Sequence, residues 1–228
     1  MTEPVPRDNT LQCPVGELQC LWLDELSQLR DKVAALSELV ITDELTGLFN
    51  YRFLIRSINQ ELERAHRVGQ GFALAILDFD NFKRLNDTHG HEFGNQVLRA
   101  AGTYIRKSLR QLDVPCRFGG EEFVIVLPGT SLREAVVLGE RLREGIAAIR
   151  LVSDGQRVDL SVSIGIDYCG PADHLTADQA IARADKYLLQ AKASGKNQVC
   201  HAPLSERAAG TTKDERDALL ESFSARRR

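Results

Sequence analysis

The sequence predicts an α+β domain over about residues 42–203, and three features carry the prediction. Phe72-Ala-Leu-Ala-Ile-Leu77 is a short continuous apolar run, the pattern of a strand covered on both faces. Gly119-Gly120 stands between Cys116-Arg-Phe118 and the β-favouring run Phe123-Val-Ile-Val-Leu127, which reads as a hairpin. Segments with helical apolar spacing flank both, so helices and a hairpin-containing sheet share one core.

Taken in order, residues 1–15 hold three prolines and little periodicity, and read as loose. From Gly16 the chain turns helical. Trp22, Leu26, Leu29, Val33, Leu36 and Val40 are spaced 4, 3, 4, 3, 4, a heptad seam. That seam fits either an amphipathic helix lying on its own domain or a self-association stalk over 16–41; the stalk is the expectation here. Thr42 to Arg52 interrupts the seam, and a second helix runs to about His66, where Gly69-Gln-Gly71 breaks it. The apolar strand ends in Asp78-Phe-Asp80. A short helix is expected over Asn81–Asn86, a loop over Asp87–Gly94, and a helix over Asn95–Leu109.

In the hairpin, both Gly119 and Gly120 are expected at positive φ in a primed turn. Glu121 and Glu122 then open the returning strand and face opposite sides. Leu132–Ile149 reads as a helix, and Val158–Ile166 alternates like a strand. Thr176–Ala193 reads as a helix ending near Gly195, and Asn197–His201 as a last strand. Residues 204–228 form a charged tail.

Composition narrows the function classes. At 228 residues and 43% hydrophobic, the chain can bury one substantial core and still carry an appendage. The 29 basic and 32 acidic residues leave a net charge of −3, which supports neither a nucleic-acid coat nor a membrane-surface role. No run approaches the ~18 apolar residues of a membrane span, and the N-terminus lacks an export signal. Cys13, Cys20, Cys116, Cys169 and Cys200 are scattered, as free thiols of a reducing cytoplasm are.

Two acidic clusters carry the chemistry. Asp78 ends a buried strand, and Glu121 sits at the mouth of a hairpin expected beside it. Paired carboxylates with no histidine or cysteine cluster suit Mg²⁺ or Mn²⁺, whose remaining positions go to water and phosphate. The expected substrate is therefore a nucleoside triphosphate, with Lys83, Lys192 and Lys196 available to offset phosphate charge. No Walker-type glycine loop is present.

Leu77-Asp-Phe-Asp-Asn-Phe-Lys-Arg-Leu-Asn-Asp-Thr-His-Gly-His-Glu-Phe-Gly94 and Arg117-Phe-Gly-Gly-Glu-Glu-Phe123 resemble the two signature stretches of the GGDEF diguanylate cyclases. Asp43-Glu-Leu-Thr-Gly-Leu-Phe-Asn50, Ser161-Val-Ser-Ile-Gly165 and Ala184-Asp-Lys-Tyr187 with Lys192 and Gly195-Lys-Asn197 resemble its other motifs, in the same order. The resemblance covers about residues 42–200. It implies a central, mostly antiparallel five-stranded sheet wrapped by helices, and an enzyme that joins two GTP into cyclic di-GMP and two pyrophosphates.

The resemblance also implies site roles. Asp78, Glu121 and the Phe79 carbonyl would bind metal; Glu121 would accept the ribose 3′-hydroxyl proton, and Lys83 would stabilise the transition state. Phe82, Asn86, His91, Asn95, Lys192 and Lys196 fall at substrate-binding positions. Glu122 fits the pattern, and its loss is expected to abolish activity, although strand alternation separates its role from that of Glu121. Asn95 departs, because the family commonly has Asp there. An amide offers one acceptor where a carboxylate offers two, so some relaxation of guanine selectivity is expected. Arg110-x-x-Asp113, with Arg141, matches an inhibitory product site; read alone, Arg110 and Asp113 would be a local surface ion pair.

A two-fold symmetric product needs two protomers face to face, and this favours the stalk as a dimerising element. A regulatory protein on the N-terminal helix, or a change of assembly, would then control activity. The rival reading is a catalytically inactive cyclic di-GMP receptor using Arg110, Asp113 and Arg141.

Overall fold

The structure is a computed structural model that describes residues 25–26, 28–32, 40–153 and 155–203. The chain divides into two units, Met1–Ile41 and Thr42–Arg228. In the first, residues 25–26 and 28–32 are helical, and Leu26 and Leu29 of the expected seam are exposed. The rest of the stalk expected over 16–41, apart from exposed Val40 and Ile41, lies outside the described residues, as do the expected loose N-terminus and charged tail.

The second unit runs α1 (Tyr51–Val68), β1 (Phe72–Phe79), α2 (Phe82–His89), α3 (His91–Ser108), β2 (Val114–Gly119), β3 (Glu122–Pro128), α4 (Leu132–Ala147), β4 (Leu151–Ser153), β5 (Gln156–Val158), β6 (Val162–Cys169), α5 (Ala177–Ala193) and β7 (Val199–His201). Five strands form one sheet in the order β2-β3-β1-β6-β7. β1 pairs antiparallel with β3 and β6, and only β6–β7 is parallel. The expected α+β fold with a mostly antiparallel five-stranded sheet is the one observed.

β1 takes the centre because it is apolar at nearly every position, and all eight of its residues are buried. Ala73, Ala75, Leu77 and Phe79 face one core with Val97, Leu98 and Ile105 of α3 and Leu142 and Ile146 of α4. Phe72, Leu74 and Ile76 face the other, with Leu54 and Ile58 of α1 and Ala184 and Leu188 of α5. Truncating a core residue such as Leu77 to Ala would cost about 2–5 kcal/mol. Gly165 in β6 lets α5 lie directly on the sheet: a Cβ there would meet Leu188 N at 2.2 Å and Ala184 O at 2.5 Å. Ser131 and Thr176 start α4 and α5 with reciprocal capping boxes to Glu134 and Gln179.

Three local expectations are corrected. The loop expected over Asp87–Gly94 is helical apart from Gly90, because α3 begins at His91 and buries Phe93 one turn in. The strand expected from Val158 begins at Val162; Val158 instead closes a separate two-stranded hairpin with Leu151. Only Gly120 of the glycine pair has positive φ, at 51°. A register shift between Arg117 and Gly119 pairs Gly119 with Glu122, which moves the two-residue turn to Gly120-Glu121.

Among the described residues, no helix is long and apolar enough to cross a membrane. Cys116, Cys169 and Cys200 are free, and burial pushes the Cys116 and Cys169 thiols up to about 12, which leaves them unreactive.

Candidate active site

Antiparallel register sets the centre of the site. Asp78 at the end of β1 pairs directly with Glu122 at the start of β3. Cross-strand partners share a sheet face, and this is the α5 face onto which Ile76 and Val124 also point. From the last turn of α5, Lys192 places Nζ 2.9 Å from Asp78 Oδ1. Asp78 is only 6% exposed. A buried carboxylate needs such a partner, since an unpaired charge in a low-dielectric site is costly.

Burial raises all three carboxylates, and the Asp78 charge adds to the rise at Glu121 and Glu122. Burial raises the Asp78 pKa; Lys192 opposes this, and the charges of Asp80 and Asp185 add to it. Burial also raises Glu121, with Asp78 adding and Lys192 opposing. Glu122 is raised by burial, then by Asp78, with Asp185 and Glu121 contributing. Strand alternation therefore does not separate Glu121 from Glu122, because Glu121 lies in the turn, off the pleat. Both answer to Asp78 and Lys192.

The turn is fixed from below. Arg117 Nε and Nη2 donate to Gly120 O at 3.0 and 2.8 Å, and Nη1 donates to the Asp43 carboxylate. Asp43 also accepts from the Thr46 amide and hydroxyl at 2.8 and 2.6 Å. Burial pushes Asp43 up, but these donors outweigh it and hold its carboxyl below the ordinary value. The sequence reading missed this brace, although an Asp followed three residues later by Thr is a recognisable local turn signal.

Beside Asp78, Asp80 is tied into the fold. It accepts from the Ser161 and Ser163 hydroxyls at 2.8 and 2.6 Å and from Asn197 N at 3.0 Å. It thereby joins β1, β6 and the turn before β7. Asn81, at φ 58°, precedes α2 without capping it; its Oδ1 accepts from Lys196 Nζ at 2.6 Å. The first amides of α2, which include those of Phe82 and Lys83, thus have no side-chain cap at an end that favours anions. The Phe82 ring is buried against Phe79, so only its backbone is available there, whereas Lys83 is exposed.

Asn86 lies on the α2–α3 side. Its Oδ1 is buried without a hydrogen-bond partner, tight against Gly94, where an added Cβ would stand 1.9 Å away. An orphaned buried acceptor is rare in a native structure and fits a ligand donor. Asn95 follows in α3, with Nδ2 3.4 Å from Glu92 Oε2; His91 is exposed at the start of that helix.

Arg110, Asp113 and Arg141 converge elsewhere, at the opposite end of the β2–β3 hairpin. They line one cleft with Ser108, Thr130 and Arg133. Asp113 is buried and accepts from the Arg110 backbone amide at 2.8 Å. No Arg110–Asp113 salt bridge occurs among the described residues, so the surface ion pair is not what forms. Burial raises Asp113, and Arg110 and Arg141 oppose the rise. Arg133, which the sequence reading did not single out, adds a third guanidinium to this cleft.

The donor set at Asp78 fits a hard divalent cation. Its carboxylates, Asp78 with Glu122 directly opposite, are hard oxygen donors, which suit Mg²⁺ or Mn²⁺. Among the described residues no three His, Cys, Asp or Glu side chains converge closely enough to hold a metal alone.

Comparison with known proteins follows the same lines. A family model described as "Diguanylate cyclase, GGDEF domain" matches residues 40–198. Diguanylate cyclase DgcP of Pseudomonas aeruginosa is 42% identical over 182 residues, covering 75% of this chain and 27% of DgcP. The crystal structure of diguanylate cyclase SiaD with its activator SiaC, from Pseudomonas aeruginosa, matches with a TM-score of 0.69 and 38% identity, covering 78% of this chain and 68% of that one. The coiled coil and GGDEF domain of DgcB from Caulobacter crescentus, in complex with c-di-GMP, matches with a TM-score of 0.68 and 27% identity, over 78% and 94% of the two chains. The chain spans less than two thirds of the length of the curated relatives it matches.

Proposed function

The chain belongs to the GGDEF diguanylate cyclase domain family, and from that premise we propose that it condenses two GTP into cyclic di-GMP and two pyrophosphates. Each protomer holds one GTP, and two protomers meet face to face. The 3′-oxygen of each ribose attacks the α-phosphorus of the other nucleotide, the bond to the β-phosphate breaks, and pyrophosphate leaves with that electron pair. Done twice, this closes the ring.

In this reading Asp78, Glu121 and the Phe79 carbonyl hold the divalent cation. A bound Mg²⁺ or Mn²⁺ supplies charge neutralisation on the triphosphate and at the developing pyrophosphate. Glu121 takes the 3′-hydroxyl proton as general base. Glu122 keeps the turn end of the site negative, opposite Asp78. Lys83, Lys192 and Lys196 steady the phosphates, together with the uncapped amides at the start of α2. Asn86, His91 and Asn95 hold the base and ribose. Most of the catalytic contribution is alignment and charge stabilisation.

The observation that carries the reading is the Asp78–Glu122 register with Lys192 Nζ 2.9 Å from Asp78. Purified protein, GTP and Mg²⁺, with the product identified by chromatography, tests it. Wild type should form cyclic di-GMP, and a Glu121→Ala, Glu122→Ala double variant should form none.

The cleft at Arg110, Asp113 and Arg141 is proposed to bind the product and inhibit turnover, since three guanidinium groups beside a buried carboxylate suit phosphate and a guanine edge. Residues 16–41 are proposed as the element that pairs the protomers and receives a regulatory partner. The coiled coil of DgcB and the activator bound to SiaD support that assignment.

A further inference from the structure

Lys192 stands where a cation is needed. Its ammonium lies 2.9 Å from Asp78 Oδ1, on a carboxylate that is 6% exposed. Its charge also acts on Glu121 and Glu122. Asp185, seven residues earlier on the same helix and so on the same face, adds another negative charge to this corner. By contrast Lys196, which continues past the end of α5, gives its ammonium to Asn81 Oδ1 and not to the acids.

We propose that Lys192 is a built-in counter-ion that holds Asp78 in the absence of nucleotide and makes divalent-cation binding conditional on the triphosphate. The inference rests on the nucleotide site proposed above. A divalent cation approaching the nucleotide-free site must displace a like-charged group from a buried carboxylate and leave that ammonium without a partner. A triphosphate changes both conditions. It gives Lys192 a new anionic partner and adds phosphate oxygens to the cation's shell. The lysine can make the exchange by rotating its own stem, because its side chain is one third exposed and sits in the last turn of α5. Metal and nucleotide therefore enter together, and the acidic corner stays neutralised and folded before they arrive.

Mn²⁺ binding to the full chain, measured by electron paramagnetic resonance, tests this without turnover. The site is titrated alone and with guanosine 5′-(α,β-methylene)triphosphate. Wild type alone should bind Mn²⁺ weakly, and Lys192→Met should bind it at least about tenfold more tightly. With the analogue present the order should reverse, because methionine offers the phosphates nothing. Lys186→Met, an exposed position on the same helix, controls for net charge and should not change nucleotide-free affinity. Lys192→Gln replaces Lys192→Met if thermal melting shows the latter unfolded. Equal nucleotide-free affinity in wild type and the Lys192 variant, or an equal gain in Lys186→Met, overturns the proposal. Failure of the analogue to raise Mn²⁺ uptake in wild type counts instead against the nucleotide site, and the nucleotide-free comparison still decides the role of Lys192.

Discussion

Arg117 clamps Asp43: its Nη1 lies 3.1 and 3.3 Å from the two carboxylate oxygens, while the other end of the guanidinium grips Gly120 O. One planar fork thereby fixes the turn that carries Glu121 to the segment preceding α1. Lysine has no such fork and cannot make both contacts.

Arg117→Ala should reduce turnover about 10–100-fold by letting the turn drift, as losses of supporting contacts around metal sites do. Stability should fall by about 1–3 kcal/mol, the cost of hydrogen bonds to a charged group. Arg117→Lys should recover part of the stability and little of the rate. Initial rates and thermal melts separate the two effects, and an unchanged kcat in Arg117→Ala would refute the brace.

The raised carboxylates make a signed pH prediction. Asp78, Glu121 and Glu122 have folded pKa values above their ordinary 3.8 and 4.5. Between the unfolded and folded values the native state holds more protons, so their contribution to stability falls as pH rises through that window. Metal-free protein should therefore lose melting temperature as pH climbs above the ordinary carboxylate range. Glu122→Gln should flatten that slope and melt higher at neutral pH while losing activity by about 100-fold or more. Asp43, held low, contributes with the opposite sign and only at more acid pH. A steeper slope in Glu122→Gln would contradict the assignment.

Much of this arrangement was legible in the sequence. The apolar run of β1 marked a strand covered on both faces, and Leu132–Ile149 and Thr176–Ala193 read as helical stretches, where α4 and α5 lie. Asp78 and Glu121 stood out as acids beside a strand end and a turn. What failed did so for local reasons. Asp87 to His91 is polar enough to read as a loop, whereas the burial of Phe93, the close approach of Asn86 to Gly94 and the Gly90 N–H bond to Asn86 O hold that stretch in two helices. The hairpin turn moved by one residue because a bulge after Arg117 is invisible to composition. The partners of Lys192 and Asp80, and the Asp43 that meets Arg117, lie far away in the chain, and no periodicity reports which distant groups meet.

Asn95 bears on base choice. Its amide nitrogen is directed toward Glu92, and Asn86 offers a buried acceptor nearby. Guanine should remain preferred, with a smaller GTP-over-ATP ratio than a carboxylate would give. Asn95→Asp should raise that ratio by about tenfold, the effect of roughly one hydrogen bond. Competing GTP and ATP turnover measures it, and an unchanged ratio would refute it.

Arg110 lies at the far end of the hairpin from the acids, so its loss should spare the chemistry. Arg110→Ala should keep initial turnover within about twofold and lose product inhibition by tenfold or more, on the scale of a lost bidentate charged contact. Initial rates against added cyclic di-GMP decide it. Inhibition that persists at wild-type concentrations would remove the cleft from the account.

The central claim is that Asp78 and Glu121 share one cation against a bound triphosphate. Mn²⁺ affinity in the presence of the unreactive GTP analogue, measured for Asp78→Asn, Glu121→Gln and the double variant, tests it most directly. Each single change should weaken Mn²⁺ binding by about 10–100-fold, and the double variant should fall short of their product, because the two groups act on one ion. Undiminished Mn²⁺ affinity in either single variant, or fully additive losses, would contradict the shared site.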